Sequence, residues 1–225
     1  MHSFAAYPSI RTSNYTLLLV PDRARYALEE AMDPIARDIP HHYSPLPREN
    51  DNIRLLRLLP NKNRTAIIEC QLFNYSLEPD KCTHLYEALS YVWGDPNETL
   101  PIFVDGHVLH ITVSLHAALL RLRDHSLERI IWIDALCIDQ ANEKEKEHQI
   151  QSMARIYGQA NRVIVWLGEE KDNSDQALEI IRSAAEDGST NVLDNSEVVP
   201  ALFQRPWFKR IWVREQTLNG IYSIR

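Results

Sequence analysis

An apolar run that stops on an acid, then an amphipathic helix, then a second apolar run: this order narrows the fold more than any other feature of the chain. Ile130-Ile-Trp-Ile133 is continuous and rich in β-branched residues. That is the pattern of a strand buried on both faces, as in a parallel sheet. Asp134 ends it, and a polar loop carrying Cys137, Asp139 and Gln140 follows. The spacing predicts a helix from about Asn142 to Gly158. Asn142 and Glu145 stand close to a capping-box arrangement. Ile150, Met153, Ala154 and Tyr157 fall at i, i+3, i+4 and i+7, and Gly158 is a natural stop. A second buried strand runs from Arg162 to Gly168. Strand, loop, helix, strand is a βαβ unit, which crosses over right-handed.

In open α/β sheets ligands sit outside the C-terminal ends of the strands. Asp134, Cys137, Asp139 and Gln140 are therefore expected on that rim. Glu145 and Gln149 lie one turn apart on the helix and have two readings: a cap with a half-exposed neighbour, or a carboxylate and an amide aimed at the rim. Cys137 is either a nucleophile, which needs a lowered pKa and a nearby base, or a buried inert thiol. Asp134 needs either a ligand or a basic partner such as Arg210 or Arg214.

Across 225 residues, 44% hydrophobic content supports a real core, and the formal charge of -7 shows no basic stripe of the kind nucleic-acid surfaces carry. No apolar run approaches the roughly 20 residues that span a bilayer. Leu17-Leu-Leu-Val20 falls short of a signal-peptide core of about 7–15 residues. Cys70, Cys82 and Cys137 are too few and too scattered for a disulfide framework, so a reducing, cytoplasmic setting is expected. Cys82-x-His84 and His41-His42 lack the companion ligands of a zinc site, and the scattered glycines form no phosphate-binding loop. No metal and no required cofactor are expected.

Taken in order, residues 1–50 read as a leader and linker. A loose helical period over Ala24 to Arg37 is followed by Pro40, Pro45 and Pro47. The domain proper is expected over 51–225. Ile53 to Leu59 and Thr65 to Phe73 read as an N-terminal β-hairpin addition. Tyr86 to Trp93 has two largely apolar faces and reads as a central strand ended by Gly94-Asp95-Pro96. Asp105-Gly106 between two short apolar runs predicts a two-residue hairpin, because both turn residues must tolerate positive φ. Ser114 is expected to cap a helix through Arg123, with Leu115, Ala118, Leu119 and Leu122 on one side. Ala177, Ile180, Ile181 and Ala184 mark another amphipathic helix, and Val198 to Phe203 a short one. Pro206 suits a first helical turn. The fold class is thus α/β, a largely parallel central sheet flanked by helices.

Three blocks carry a resemblance. They are Tyr86-Glu-Ala-Leu-Ser-Tyr-Val-Trp-Gly-Asp95; Trp132-Ile-Asp-Ala-Leu-Cys-Ile-Asp-Gln140 with Glu145, Gln149, Met153 and Tyr157; and Arg205-Pro-Trp-Phe-Lys-Arg-Ile-Trp-Val213. Together, over roughly residues 53–217, they resemble the heterokaryon incompatibility (HET) domain of filamentous fungi. The resemblance implies a role in non-self recognition that ends in programmed cell death. It also implies a distant likeness to the Toll/interleukin-1 receptor (TIR) domain, a flavodoxin-like α/β module. Some TIR-like domains self-assemble, and some hydrolyse NAD with one glutamate. The implied partners are a second copy or another incompatibility or NLR-type signalling protein.

The same resemblance makes Ser90, Tyr91, Trp93, Gly94, Cys137, Gln140, Gln149 and Trp212 the candidate ligand-binding residues, with Tyr91 and Trp93 either stacking on an adenine or nicotinamide ring or belonging to the core. Asp134, Glu145 and Glu215 are the candidate catalytic carboxylates, with NAD as the possible substrate. The chain departs from the family in its last block, where the usual Trp-Val-x-Gln-Glu reads Trp212-Val-Arg-Glu-Gln216. An amide stands where a TIR-type glutamate would, and an amide neither takes a proton nor attacks as an anion. Glu215 is adjacent, but one residue along a helix turns a side chain by about 100°. This exchange favours a signalling and assembly module over a hydrolase. Members often carry a long C-terminal region, so a short or truncated form is expected here.

Overall fold

The computed structural model describes residues 10–12, 15–18, 41–46, 52–78, 80, 83–187 and 197–210. The expected helix over 24–37, Cys82, and the residues from Ile211 onward, including Trp212, Arg214, Glu215 and Gln216, lie outside the described residues.

Among the described residues seven strands come before the first helix, and helices and strands mix only after it. The strands are β1 (Ile10–Thr12), β2 (Tyr15–Leu18), β3 (Asn52–Leu58), β4 (Glu69–Ser76), β5 (His84–Ser90), β6 (Thr99–Val104), β7 (His107–Thr112), β8 (Arg129–Trp132) and β9 (Ala160–Trp166). The helices are α1 (Val113–Leu122), the single turn α2 (Asp134–Cys137), α3 (Glu143–Gln159), α4 (Ser174–Asp187) and α5 (Val198–Phe203), with a 3-10 turn at Pro206–Lys209. Among the described residues the strands form one mixed sheet in the order β1-β2-β9-β5-β8-β3-β4-β6-β7.

The unit read from the apolar runs is present. β8 and β9 both run parallel to β5, which lies between them, and α3 connects them across it. The C-terminal ends of β5, β8 and β9 therefore share one edge. The sheet as a whole is not largely parallel, however. Of its eight pairings, four are parallel (β2 with β9, β9 with β5, β5 with β8, β4 with β6) and four antiparallel. Connection length explains the difference. A helical crossover is long enough to return a chain in the same direction, whereas the loop 59–68 and the turn 105–106 reverse it. The pair β3–β4 is also no separate addition, because β3 bonds directly to β8 in mid-sheet. Residues 10–12 and 15–18, part of the expected leader, form strands too, and β2 extends the parallel side beside β9.

Local departures have local causes. α3 buries Gln149, Met153, Ile156 and Tyr157, while Ile150 is 53% exposed and Ala154 lies outside. The helix phase is set by the 149-153-156 row, which faces β5 and β9. α1 buries the expected Leu115, Ala118, Leu119 and Leu122. Its cap is Thr112, not Ser114, whose hydroxyl donates instead to the Val92 carbonyl at 2.7 Å. Asp105 (φ 51°) and Gly106 (φ 80°) form the predicted two-residue turn. One core contains the β3, β5 and β8 residues, with Trp132 packed edge-on against Tyr157 at 5.3 Å. A second holds Val165, Leu167, Ala177, Leu178, Val199, Leu202 and Trp207. Val165 and Leu167 alternate with Ile164 and Trp166 of the first core, so β9 separates the two.

Candidate functional site

The shared edge of β5, β8 and β9 brings the first two sequence blocks together with the start of the third. Where β8 ends, the chain does not continue as an open loop but turns at once into α2. Asp134, its first residue, is 8% exposed. Its Oδ1 accepts the Ala135 N–H at 2.8 Å, its Oδ2 accepts the Trp93 indole N–H at 3.1 Å, and its backbone carbonyl accepts from Gln140 Nε2 at 3.0 Å. Burial pushes the Asp134 carboxyl above the usual range; the hydrogen bonds from Trp93 and Ala135 and the charge of Arg210 pull the other way.

Trp93 keeps 42% of its surface in solvent while its N–H is committed to Asp134. Tyr91 is buried, and desolvation raises its hydroxyl pKa well above the usual value. Ser90 does not face the rim: its Oγ accepts the Trp207 indole N–H at 3.0 Å. Arg210 donates to the Tyr91 carbonyl, and Arg205 clamps the chain after β9 by donating to the carbonyls of Leu167 (3.0 Å), Glu169 (2.9 Å) and Lys171 (2.9 Å). The Arg205 guanidinium is thus spent on backbone rather than on an acidic rim or a phosphate.

Gly94 takes φ 80°, and a Cβ there would come within 3.2 Å of the Ser114 Cβ. Beside it opens a cavity of about 270 Å³ lined by Gly94, Asp95, Ser114, Trp166, Gly168 and Glu169, among others. This volume falls just short of the roughly 300–1,000 Å³ of ordinary small-molecule sites.

Behind the rim lies a second polar centre. Arg54, in the middle of β3, is 2% exposed. Its guanidinium grips both carboxylate oxygens of Glu145, at 2.9 Å for Nη2–Oε2, and donates to the carbonyls of Cys137 (3.2 Å) and Ser44 (2.6 Å). The Tyr43 ring lies 5.0 Å from its central carbon. Glu145 Oε1 also accepts the Asp139 N–H at 2.8 Å. Glu145 therefore neither points to the rim nor reaches back to close a capping box; only the other half of that arrangement forms, with Asn142 Oδ1 accepting the Glu145 N–H at 3.2 Å. Arg54 was missed at the sequence level, although alternation puts it on the same face as Leu56 and Leu58, where a charge demands a partner.

Two candidate ligand residues turn inward. Cys137 is fully buried, its Sγ accepts the Ile133 N–H at 3.3 Å, and burial lifts the thiol to about 12. It is placed as core rather than as a nucleophile. Gln149 is 1% exposed and donates to the Asn52 carbonyl at 2.9 Å. For Cys137 the cause is α2, a turn tight enough to send the side chains after Asp134 into the core; for Gln149 it is the phase of α3.

The blocks that meet here are matched as one unit. The family model for the heterokaryon incompatibility protein (HET) covers residues 86–215, more than half of the chain. The chain belongs to the HET family. The HET domain is also 33% identical over 159 residues to heterokaryon incompatibility protein 6, OR allele, of Neurospora crassa. That match covers 65% of this chain and 23% of the relative, so the chain spans less than a quarter of that protein's length. No solved structure matches. Among the described residues of the HET domain, no cluster of His, Cys, Asp and Glu is placed to hold a metal ion, and no helix is long and apolar enough to cross a membrane.

Proposed function

We propose that this HET domain acts in fungal non-self recognition, as a signalling module whose output is programmed cell death, and that it works by assembling with itself or with an NLR-type or other incompatibility partner in the cytoplasm. Family membership and the Neurospora crassa relative support the incompatibility role. The observation that carries the assembly reading is the Arg54–Glu145 pair. The glutamate of the second block is held on both oxygens by a buried guanidinium, so the domain uses it to fix the loop 137–139 rather than to attack a substrate. The exchange at Glu215 and Gln216 points the same way.

A second reading, a TIR-like enzyme that triggers death by hydrolysing NAD, draws on one specific feature. Asp134 is a carboxyl with a raised pKa beside a half-exposed indole, an arrangement suited to proton transfer and ring stacking. The parallel unit β5-β8-β9 is what a TIR-like or flavodoxin-like likeness would rest on.

The test is incubation of the pure chain with NAD while free nicotinamide is followed. The expected result is no release, with growth arrest when the chain is expressed in a fungal host. Release that disappears on Asp134→Ala or Glu215→Ala would replace the assembly reading with the enzymatic one.

A further inference from the structure

Among the described residues β7 ends the sheet, paired with β6 on one side only. Its register with β6 runs through six residue pairs without a bulge, from Val104 with His107 to Thr99 with Thr112. A two-residue turn makes Val104 and His107 a hydrogen-bonded pair, so His107, Leu109 and Ile111 bond to β6. The other side of β6 agrees, because Phe103 and Asp105 donate to the Ile68 and Cys70 carbonyls of the neighbouring segment. The N–H and C=O groups of Val108 and His110 therefore point outward, away from the sheet.

Natural edge strands are normally blunted by Lys, Pro, a bulge or short length. His107-Val-Leu-His-Ile-Thr112 has none of these and holds no Asp, Glu, Lys or Arg. It combines β-branched residues with a regular, half-buried edge, and the His41 ring stands 6.4 Å from His107 at one end of it.

We propose that the outer edge of β7 is a self-association surface, on which β7 of a second copy pairs antiparallel about a two-fold axis at Leu109. In that register Val108 faces His110 of the second copy and the reverse, and the outward groups of each strand close four hydrogen bonds. Leu109 meets its own counterpart, and His107 meets Ile111. Two copies of a chain of net charge -7 repel each other overall, whereas this register sets no Asp, Glu, Lys or Arg of β7 against another. That local charge match, with the self-complementary spacing of Val108 and His110, is what selects a second copy as the occupant. The inference deepens the assembly reading above and rests on it. One strand pair buries less than the roughly 1,200–2,000 Å² of a stable dimer, so association grows with concentration.

The test is sedimentation velocity of the full chain across a concentration series, for wild type, His110→Pro and Val108→Lys. His110→Pro deletes one outward donor per copy and spares the β6 ladder; Val108→Lys sets like charges on one face. Wild type is expected to shift from monomer to dimer, with the Pro variant on the order of thirtyfold weaker and the Lys variant weaker as well. Circular dichroism checks that each variant is folded. Hydrogen exchange adds a readout without mutation: the Val108 and His110 amides should slow as the dimer forms. Self-association that is unchanged in the folded variants, with no slowing at those amides, would overturn the β7 edge and leave the assembly reading standing. A wild type that stays monomeric throughout would overturn both.

Discussion

Asp134 and Glu145 are two buried carboxylates joined by the same short loop, and their surroundings differ in kind. Glu145 meets a guanidinium on both oxygens and a backbone N–H besides. Asp134 meets one indole N–H and one backbone N–H, and burial outweighs them, so its carboxyl sits above the usual range. A carboxylate that has a fitted cation is a structural pin. One that has only neutral donors in contact is held at a cost, and such groups cluster at functional sites. The rim thus holds the carboxyl that burial disfavours, and the Arg54 junction is the frame that holds the rim.

The largest expected effect tests the frame. Arg54→Met leaves Glu145 buried without its cation and frees the Cys137 and Ser44 carbonyls, so chemical denaturation should show a loss of about 3–5 kcal/mol. Adding Glu145→Gln should restore part of that loss, since the uncompensated charge disappears. If the single and double variants lose the same amount, Glu145 is not pinned in the way described.

Next comes Ser90→Ala, which strips the acceptor from the buried Trp207 indole. A loss of about 1–3 kcal/mol is expected, together with a change in tryptophan fluorescence. No change in either would mean that the third block is not anchored to β5.

The smallest effect at neutral pH belongs to the rim itself. Asp134→Asn exchanges a carboxyl disfavoured by burial for a neutral amide that keeps one acceptor, and should stay within about 1 kcal/mol of wild type. Its signature is pH dependence. A folded-state pKa above the unfolded value means that the native state binds the extra proton. Wild-type stability relative to Asp134→Asn should therefore fall as pH rises from the usual aspartate range through the raised native value. A relative stability that instead rises with pH over that window would show Asp134 to be stabilised as an anion, like Glu145.

His116 provides an independent check of sign. It is buried on the inner side of α1, and desolvation lowers its pKa to about 4. Wild type should lose stability relative to His116→Leu as pH falls from about 6.5 toward about 4, the direction opposite to Asp134.

Much of this frame was legible as pattern. The run Ile130–Ile133, the helix starting at Asn142, the strand ending at Trp166 and the Asp105-Gly106 turn depend on neighbours in sequence, and period and turn chemistry report neighbours well. The phase of α3 was misjudged because Gln149 and Ile150 follow each other in sequence but project about 100° apart, and the apolar one looked the better to bury. Only the presence of the Asn52 carbonyl makes the amide the better residue to bury. The mixed direction of the sheet was missed for a similar reason: nothing in β3 says which strand it will lie beside.

The sequence by itself determined the βαβ unit, the family blocks and the acid at the end of β8, since each is written in residues a few positions apart. The tertiary structure alone decided that Arg54 claims Glu145, that the Trp93 indole donates to Asp134, and that Cys137 turns away from the rim. Those outcomes depend on groups distant in the chain competing for the same buried space, where an unpaired charge or donor is costly and the nearest partner wins.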